Sequence, residues 1–516
     1  MGFILNILDS LVLAALLPMS SWRLLHYFQL ESYQLPGYFR SVRRNAKKAL
    51  LPGAAMGFAC ALCVLIGVPD LLVIVLAAAL AAMIFLRARG EKLKKPFVLT
   101  ERVKRLIAMY AAVSFVLSLA AGALCLPLRW LLPAFGVLVL ALAALCAQPI
   151  ERHINQQFVD DAKARLDKNP KLIKIGITGS YGKTSTKFLL RDILSVKYHV
   201  LATPSSFNTT MGVTRVIREQ LTPSHQVFIA EMGARHVGDI KELVDLVHPQ
   251  IGLVTSVGPQ HLDTFGTIER IKNTKYELID GLPENGTAIL ARDGAICEEL
   301  YARCPLKEKY MPGDLVAASE IENGPWGTRF TLTDTKTGES AKCQTRLLGE
   351  HTIANLLLCC TAARVLGMTL EEIAQGVARC QPVEHRLQLL DGGAGVTIID
   401  DAFNANPVGA KAALRVLENF PGRRIIVTPG MVELGGEEAQ FNRAFGEQMA
   451  RSVDVAFLVG KRHTQPIVDG LVSAGFNQDN IHVVSSLEES TKALHAMMRA
   501  GAVVLYENDL PDNYSE

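Results

Sequence analysis

"KIGITGSYGKTSTKFLL" (Lys174–Leu190) sets the reading of this chain: a short apolar run, glycines at 179 and 182, a Lys-Thr pair, then an amphipathic stretch. A strand that delivers Gly179 and Gly182 to a helix start turns backbone N–H groups towards an anion. The missing side chains let the loop close on phosphate. Lys183 supplies positive charge for the terminal phosphates, the Thr184 hydroxyl suits Mg²⁺, and Ser180 and Ser185 line the loop. The strict pattern G-x-x-x-x-G-K-[ST] would place Gly where Ile177 stands, so this is a T-G-S-x-G-K-T variant. ATP and Mg²⁺ are the expected cofactors.

Downstream, short apolar segments alternate with amphipathic ones: "QVFIAEM", "IGLVTSV", "TAILA", "VTIIDD", "RIIVTPG", "VAFLVG" and "AVVLYE". That alternation predicts an α/β architecture with mostly parallel sheets. Upstream the sequence changes character. Five apolar runs (Phe3–Met19, Leu50–Val68, Leu71–Leu86, Leu106–Leu126, Trp130–Ala147) predict an α-helical membrane domain over residues 1–150. No Lys or Arg precedes the first run, so it does not read as a secretion signal. "ERHINQQFVDDAKARLDKNPK" (Glu151–Lys171) reads as a helical linker over 151–172, ended by Asn169-Pro170.

The 516 residues carry a net charge of only +3. The basic residues near the membrane runs sit in two loops, Arg23 to Lys48 and Arg87 to Arg105, which puts both on the cytoplasmic side. This predicts a multi-pass protein of the cell membrane with its N-terminus outside and its later domains cytoplasmic, partnered by anionic lipid and no nucleic acid. "HYFQLESYQLPGYF" (His26–Phe39) reads as an interfacial aromatic belt, with contact to a lipid-linked substrate as the sharper alternative. The ten cysteines form no disulfide framework; Cys60 and Cys63 lie within an apolar run, and Cys359-Cys360 read as core.

Further motifs follow the loop in order: "FNTTMGV" (Phe207–Val213), "EMGARHVGDI" (Glu231–Ile240), "VGPQHLDTFGTIERIKNTKYELIDGLPENG" (Val257–Gly286), "GEHTIANLLL" (Gly349–Leu358), "EHRLQ" (Glu384–Gln388), "IDDAFNANP" (Ile399–Pro407) and "PGMVELG" (Pro429–Gly435). With the loop, they resemble the Mur ligase family, most closely its D-alanyl-D-alanine-adding branch, over roughly two thirds of the chain. The resemblance implies a P-loop central ATPase domain over 173–383 and a Rossmann-like C-terminal α/β domain over 384–516. It implies ATP-dependent activation of a carboxylate as an acyl phosphate, then attack by an amine. Glu231 and His261, at two strand ends, match the family's Mg²⁺ ligands beside Thr184; read alone, they are a solvated acid and a hydrogen-bonded imidazole. Lys275 matches a lysine the family uses in carbamylated form, and Lys272 is the neighbour most easily confused with it. Asn355 matches the adenine contact, Arg386 and Asp401 reach the nucleotide from the hinge and C-terminal domain, and Asn404 approaches the phosphates. Asn208 and Thr209 lie where the acyl substrate meets the central domain.

Two departures bear on the substrate. Membrane helices stand where such ligases carry a domain for a UDP-sugar, and "YENDLPDNYSE" (Tyr506–Glu516) stands where the D-alanyl-D-alanine-adding branch has Lys-Gly-Ser. The expectation is a membrane-anchored ligase joining an amino acid or short peptide to a carboxylate on a lipid-linked or envelope precursor. The alternatives are an anchored peptidoglycan-precursor ligase, a polyglutamate-type synthetase, or a nucleotide-gated transporter or sensor. Asp9 is the one acidic residue in the five runs, which hold no Lys or Glu, so an ionic path is not indicated.

Overall fold

Long apolar runs without β-type alternation form helices, and the N-terminal third is helical almost throughout. The structure, a computed structural model, describes residues 2–91, 96–205, 207–260, 262–324, 326–402, 405–432, 434–461 and 463–509. Two units emerge, Met1–Gln157 and Phe158–Glu516.

The first unit holds α1 (Gly2–Ser20), α2 (Trp22–Leu30), α3 (Leu35–Arg44), α4 (Ala46–Leu65), α5 (Asp70–Arg89), α6 (Glu101–Leu124), the one-turn α7 (Leu126–Trp130) and α8 (Gly136–Asp167), whose residues from Phe158 on belong to the second unit. Among the described residues, α4, α5, α6 and the stretch Leu132–Asp167 are long and apolar enough to cross a membrane. The pair α1 and α2, bent by 52°, makes a fifth if counted as one span. Phe58, Leu62, Leu65, Ile66, Leu71 and Leu86 are each more than half exposed, far beyond the scattered apolar exposure of a water-facing surface. The polar segment read as a separate linker is the second half of α8, which continues through Pro149 for 32 residues in all.

Arg129, between the fourth and fifth apolar runs, turns inward. It is 1% exposed, and its Nη1 donates to Asp9 Oδ2 at 2.7 Å. Gly122 leaves the space: a Cβ there would fall 2.4 Å from Arg129 Nη2. Their attraction offsets part of the cost of burying both charges and ties α7 to α1.

The second unit opens with a Rossmann-like layer: β1 (Ile173–Thr178), α9 (Lys183–Leu194), β2 (Val200–Ala202), α10 (Thr210–Gln220), β3 (Val227–Glu231), α11 (Asp239–Val247), β4 (Ile251–Val254), α12 (Leu262–Phe265), α13 (Ile268–Asp280), β5 (Thr287–Leu290), α14 (Ala295–Arg303) and β6 (Glu308–Tyr310). The strands pair in parallel in the order β2-β3-β1-β4-β5-β6. Successive side chains point to opposite faces, so Ile175, Ile177 and Ile229 enter one core while Phe228 and Ala230 enter the other. Burial on both faces explains why these strands read as continuous apolar runs.

An antiparallel sheet follows, β7 (Val316–Gly324), β8 (Gly327–Asp334) and β9 (Ser340–Thr345), then α15 (Glu350–Val365), packed on α9, and α16 (Leu370–Arg379). The last layer holds β10 (Gln388–Asp391), β11 (Thr397–Asp401), α17 (Pro407–Glu418), β12 (Arg424–Thr428), α18 (Glu438–Ser452), β13 (Val455–Val459), α19 (Gln465–Ser473), β14 (Ile481–Val484), α20 (Leu487–Met497) and β15 (Val503–Glu507). Its order is β10-β11-β15-β12-β13-β14, parallel except for edge strand β10. All ten cysteines are free. Cys297, Cys304, Cys343, Cys359, Cys360 and Cys380 are buried, whereas Cys125 and Cys146 are exposed.

Candidate active site

The turn from β1 into α9 is held in shape from β4's side. Ser180 N and Tyr181 N both donate to Ser256 O, at 2.7 and 3.2 Å. The Thr255 hydroxyl donates to Tyr181 O at 2.6 Å, and Ser180 Oγ to Gly258 O at 2.9 Å. Gly179 adopts φ +143°, and a Cβ there would lie 1.9 Å from Thr255 Oγ1, so only glycine fits. Gly182, at φ +80°, caps α9. Lys183 folds back over the loop, its Nζ donating to Gly179 O and Ser180 O at 2.8 and 3.0 Å. Burial, with Arg386 adding to it and Glu231 opposing, brings its pKa down to about 8. Such a cradle suits a phosphate chain, whose negative charge would restore the ammonium.

Glu231, at the end of β3 and 1% exposed, is the hub. Its Oε1 accepts from Thr184 Oγ1 at 3.1 Å and from Asn208 Nδ2 at 3.0 Å. Its Oε2 accepts from Lys187 Nζ at 2.9 Å. Lys187 is fully buried and also donates to Ser205 O. Sequence reasoning assigned it no role, although it closes the loop motif one helical turn after Lys183. The hydroxyl of Thr184 and the carboxylate of Glu231 offer oxygens of the kind Mg²⁺ prefers, and Lys187 marks the spot as one that attracts positive charge. Among the described residues no group of three His, Cys, Asp or Glu could hold a metal, in keeping with an ion that takes the rest of its shell from phosphate and water. When bound, Mg²⁺ would neutralise charge on the phosphates. Thr209 stands apart: exposed, it accepts from Gly212 N at 3.3 Å and caps α10. His261 and Asn404 lie outside the described residues.

Lys275 and Lys272 separate cleanly. Lys272 is bound up with Glu269 and with Glu299, the latter at 2.7 Å. Lys275 is 2% exposed on α13, and burial, followed by the like charge of Lys183, lowers its pKa well below the lysine range against the opposing pull of Asp239 and Glu277.

From the other side, Arg386 and Asp401 reach a cavity of about 210 Å³ lined also by Tyr181, Gly182, Ser185 and Asn355. Asn355 Oδ1 accepts from Thr186 Oγ1 at 3.3 Å beside Gly182. A smaller cavity of about 60 Å³ is walled by Ser180 to Ser185 with Gln260, Arg386 and Asn406; Gln260, Asn406 and Tyr181 were not singled out from sequence. Arg386 is bracketed by His385 at φ +59° and Leu387 at φ +45°, a strained backbone for side-chain-bearing residues. Asp401 accepts from Leu387 N at 3.1 Å and lies opposite Glu507 in the β11–β15 ladder. Burial raises both carboxyls, with Arg386 holding them down in part. Glu507 thus faces inward at 1% exposure, so the acidic C-terminal stretch begins as part of the core; residues 510–516 lie outside the described ones.

Fold and loop together define a nucleotide-dependent α/β enzyme with a phosphate cradle at the end of β1 and a second α/β layer closing over it. Residues 177–363 match the Mur ligase middle domain and residues 385–506 the Mur ligase, glutamate ligase domain. The UDP-N-acetylmuramoyl-tripeptide–D-alanyl-D-alanine ligase of Escherichia coli (strain K12) is 31% identical over 62% of this chain and 73% of its own length. The Mycobacterium tuberculosis (strain H37Rv) enzyme of the same name is 33% identical over 64% and 69%. MurF from Acinetobacter baumannii superposes with a TM-score of 0.63 at 26% identity, over 70% of this chain and 78% of that one. MurF of Thermotoga maritima in complex with ADP gives 0.62 at 25%, over 69% and 80%. The chain belongs to the Mur ligase family. It is accordingly an ATP-dependent, ADP-forming amide ligase that works with Mg²⁺.

Proposed function

We propose that the chain is a peptidoglycan-precursor ligase of the D-alanyl-D-alanine-adding type, held at the cytoplasmic face of the cell membrane by residues 1–150. The observation that carries the ligase chemistry is the convergence on Glu231 of the phosphate loop (Thr184), the substrate-side motif (Asn208) and Lys187. An ATP γ-phosphate and a substrate carboxylate are both anionic, and only cations and N–H donors bring them into contact. The carboxylate oxygen takes the γ-phosphoryl group, releasing ADP. The incoming amine then attacks the acyl carbon, losing a proton as phosphate leaves. Lys183 and the loop amides would hold the phosphates, Asn355, Arg386 and Asp401 the nucleotide, and Glu231 with Thr184 the Mg²⁺ ion.

Burial disfavours the charged form of Lys275 and so favours the free amine, which adds CO₂ and loses a proton to give a carbamate. Its carbamate would lie within the field of Lys183, which offsets the new negative charge. Anchoring is supported by the exposed apolar side chains of α4 and α5 and by four helices of spanning length. The similarity to soluble-precursor ligases favours that acceptor over the lipid-borne carboxylate expected from the helices alone. A lipid-borne acceptor stays as the second reading, because the helical unit lies outside the stretch matched to the family.

The test is ATP turnover and label transfer by the detergent-purified chain, with Lys183→Ala as control. Labelled D-alanyl-D-alanine should enter UDP-muramyl tripeptide. Label entering only the lipid-extractable fraction would replace the first reading with the second, and ATP turnover without incorporation would overturn both.

A further inference from the structure

Outside the catalytic unit, the first unit contains a cavity of about 450 Å³ among the α2–α3 turn, the start of α6 and the middle of α8. Its lining is graded along both long helices. On α8, Ala144, Leu145 and Ala147 give way, one to two turns on, to Gln148, Glu151 and Arg152; on α6, Leu106 lies one turn beyond Arg102. One end is therefore hydrocarbon-like and the other charged, and the grading runs across the boundary at which the apolar part of α8 ends.

The charged end favours an anion. Its carboxylate, Glu151, is already forked by Arg105 at 2.6 and 2.9 Å and approached by Arg102 at 3.7 Å. The Arg102 guanidinium lies over the Tyr33 ring, 4.0 Å from its centroid, with its side chain 40% exposed, and Arg152 lines the same cavity. Arg102 and Arg152 both line the cavity while Glu151 is already engaged by Arg105, which leaves guanidinium donors of the kind that binds phosphate. Ser32 and Tyr33 hold left-handed backbone (φ +52° and +63°), pinned by Ser32 N to Gln29 O at 3.1 Å and Tyr33 N to Phe28 O at 2.8 Å. This fixes the ring beneath Arg102. At the apolar end, Leu138, Leu142 and Leu145 continue one exposed stripe along α8, a track for a chain leaving the cavity.

We propose that this cavity binds the phosphate of a hydrocarbon-tailed lipid, head among Arg102 and Arg152 and tail along α8. The inference rests on the membrane reading above and deepens it by naming the ligand. Phosphate on a bulk phospholipid and phosphate on a prenyl-type carrier share this chemistry.

The full chain in phosphatidylcholine nanodiscs is titrated with farnesyl phosphate, farnesol and inorganic phosphate, and separately exchanged into discs containing phosphatidylglycerol. Farnesyl phosphate should bind at least tenfold more tightly than the alcohol or the free ion, a difference of ~1.4 kcal/mol. Arg102→Ala and the cavity-filling Leu145→Trp should each weaken it about tenfold while leaving ATP binding, the report of folding, unchanged. Competition by phosphatidylglycerol at molar parity would assign the site to bulk lipid, and persistence of farnesyl phosphate binding to a carrier. Equal binding of the alcohol, or of both variants, would overturn the inference. Alkaline carbonate extraction of native membranes separates the two failures: a chain that stays in the pellet yet binds no tailed phosphate refutes this site alone, whereas a chain that is released refutes the membrane reading.

Discussion

Replacing Lys187 by Met removes one charge of a pair in which both partners are almost wholly buried, at 0% and 1% side-chain exposure. Burial lowers the lysine's pKa even though Glu231 opposes the shift, so desolvation outweighs the attraction. The pair is thus costly to break and cheap to replace as a whole. Stranding Glu231 should cost about 3 kcal/mol, at the low end of the ~3–5 kcal/mol for a broken buried pair, because Thr184 and Asn208 still donate to it. In a domain of this size that is a fall in melting temperature of roughly 6–12 °C. Glu231→Gln should cost a similar amount, and the double variant much less than the sum. Differential scanning fluorimetry of the four proteins in detergent, without nucleotide, gives the coupling. Saturating MgATP should recover much of the Lys187→Met loss, since an ion at Glu231 replaces the missing charge. Additive losses in the double variant, or a Lys187→Met protein as stable as the parent, would refute the reading of Glu231 as a hub held by cations.

Gly179→Ala should abolish ATP binding by calorimetry, because its methyl group meets Thr255 Oγ1 at a φ that disfavours side chains. Lys275→Ala should lower kcat by roughly 100-fold, the scale for losing one electrostatic stabiliser, and partial rescue by a short carboxylate such as acetate would identify the missing anion; Lys272→Ala should do neither. Lys183, with its pKa near 8 when folded and 10.5 when free, binds fewer protons folded than unfolded between those values. Stability should therefore rise from about pH 8 to about 10.5, and Lys183→Met should remove that rise in urea titrations. His385→Gly should relieve the left-handed strain beside Arg386 and change the KM for ATP more than kcat.

Local signals carried much of this protein. β1, β3, β4, β5, β11, β12, β13 and β15 were each legible as apolar runs because both sheet faces are covered. The edge strands β2, β6, β10 and β14 were not, being three or four residues long and half wet. The antiparallel β7–β9 sheet was missed for its polar outer face. Motif order singled out Glu231, Lys275, Asn355, Arg386 and Asp401, which the fold brings to one region. What no local pattern reveals is partnership across long separations: Arg129 turning inward to Asp9, Lys187 reaching Glu231, and Glu507 lying opposite Asp401 in the sheet. Each depends on which groups burial leaves without water.

The cysteines have a practical consequence. Burial pushes the thiols of Cys297 and Cys343 up to about 11 and 12 and those of Cys359 and Cys360 well above the usual range, so they offer little thiolate to an alkylating reagent. Cys146 is exposed, but on the apolar half of α8, where hydrocarbon would shield it from a charged reagent. Cys125, between α6 and α7, is exposed at a helix end. On the proposed anchoring by residues 1–150, Cys125 is the chain's own topology reporter: an impermeant maleimide added to intact cells would read the side of the membrane on which it lies, with no engineered residue.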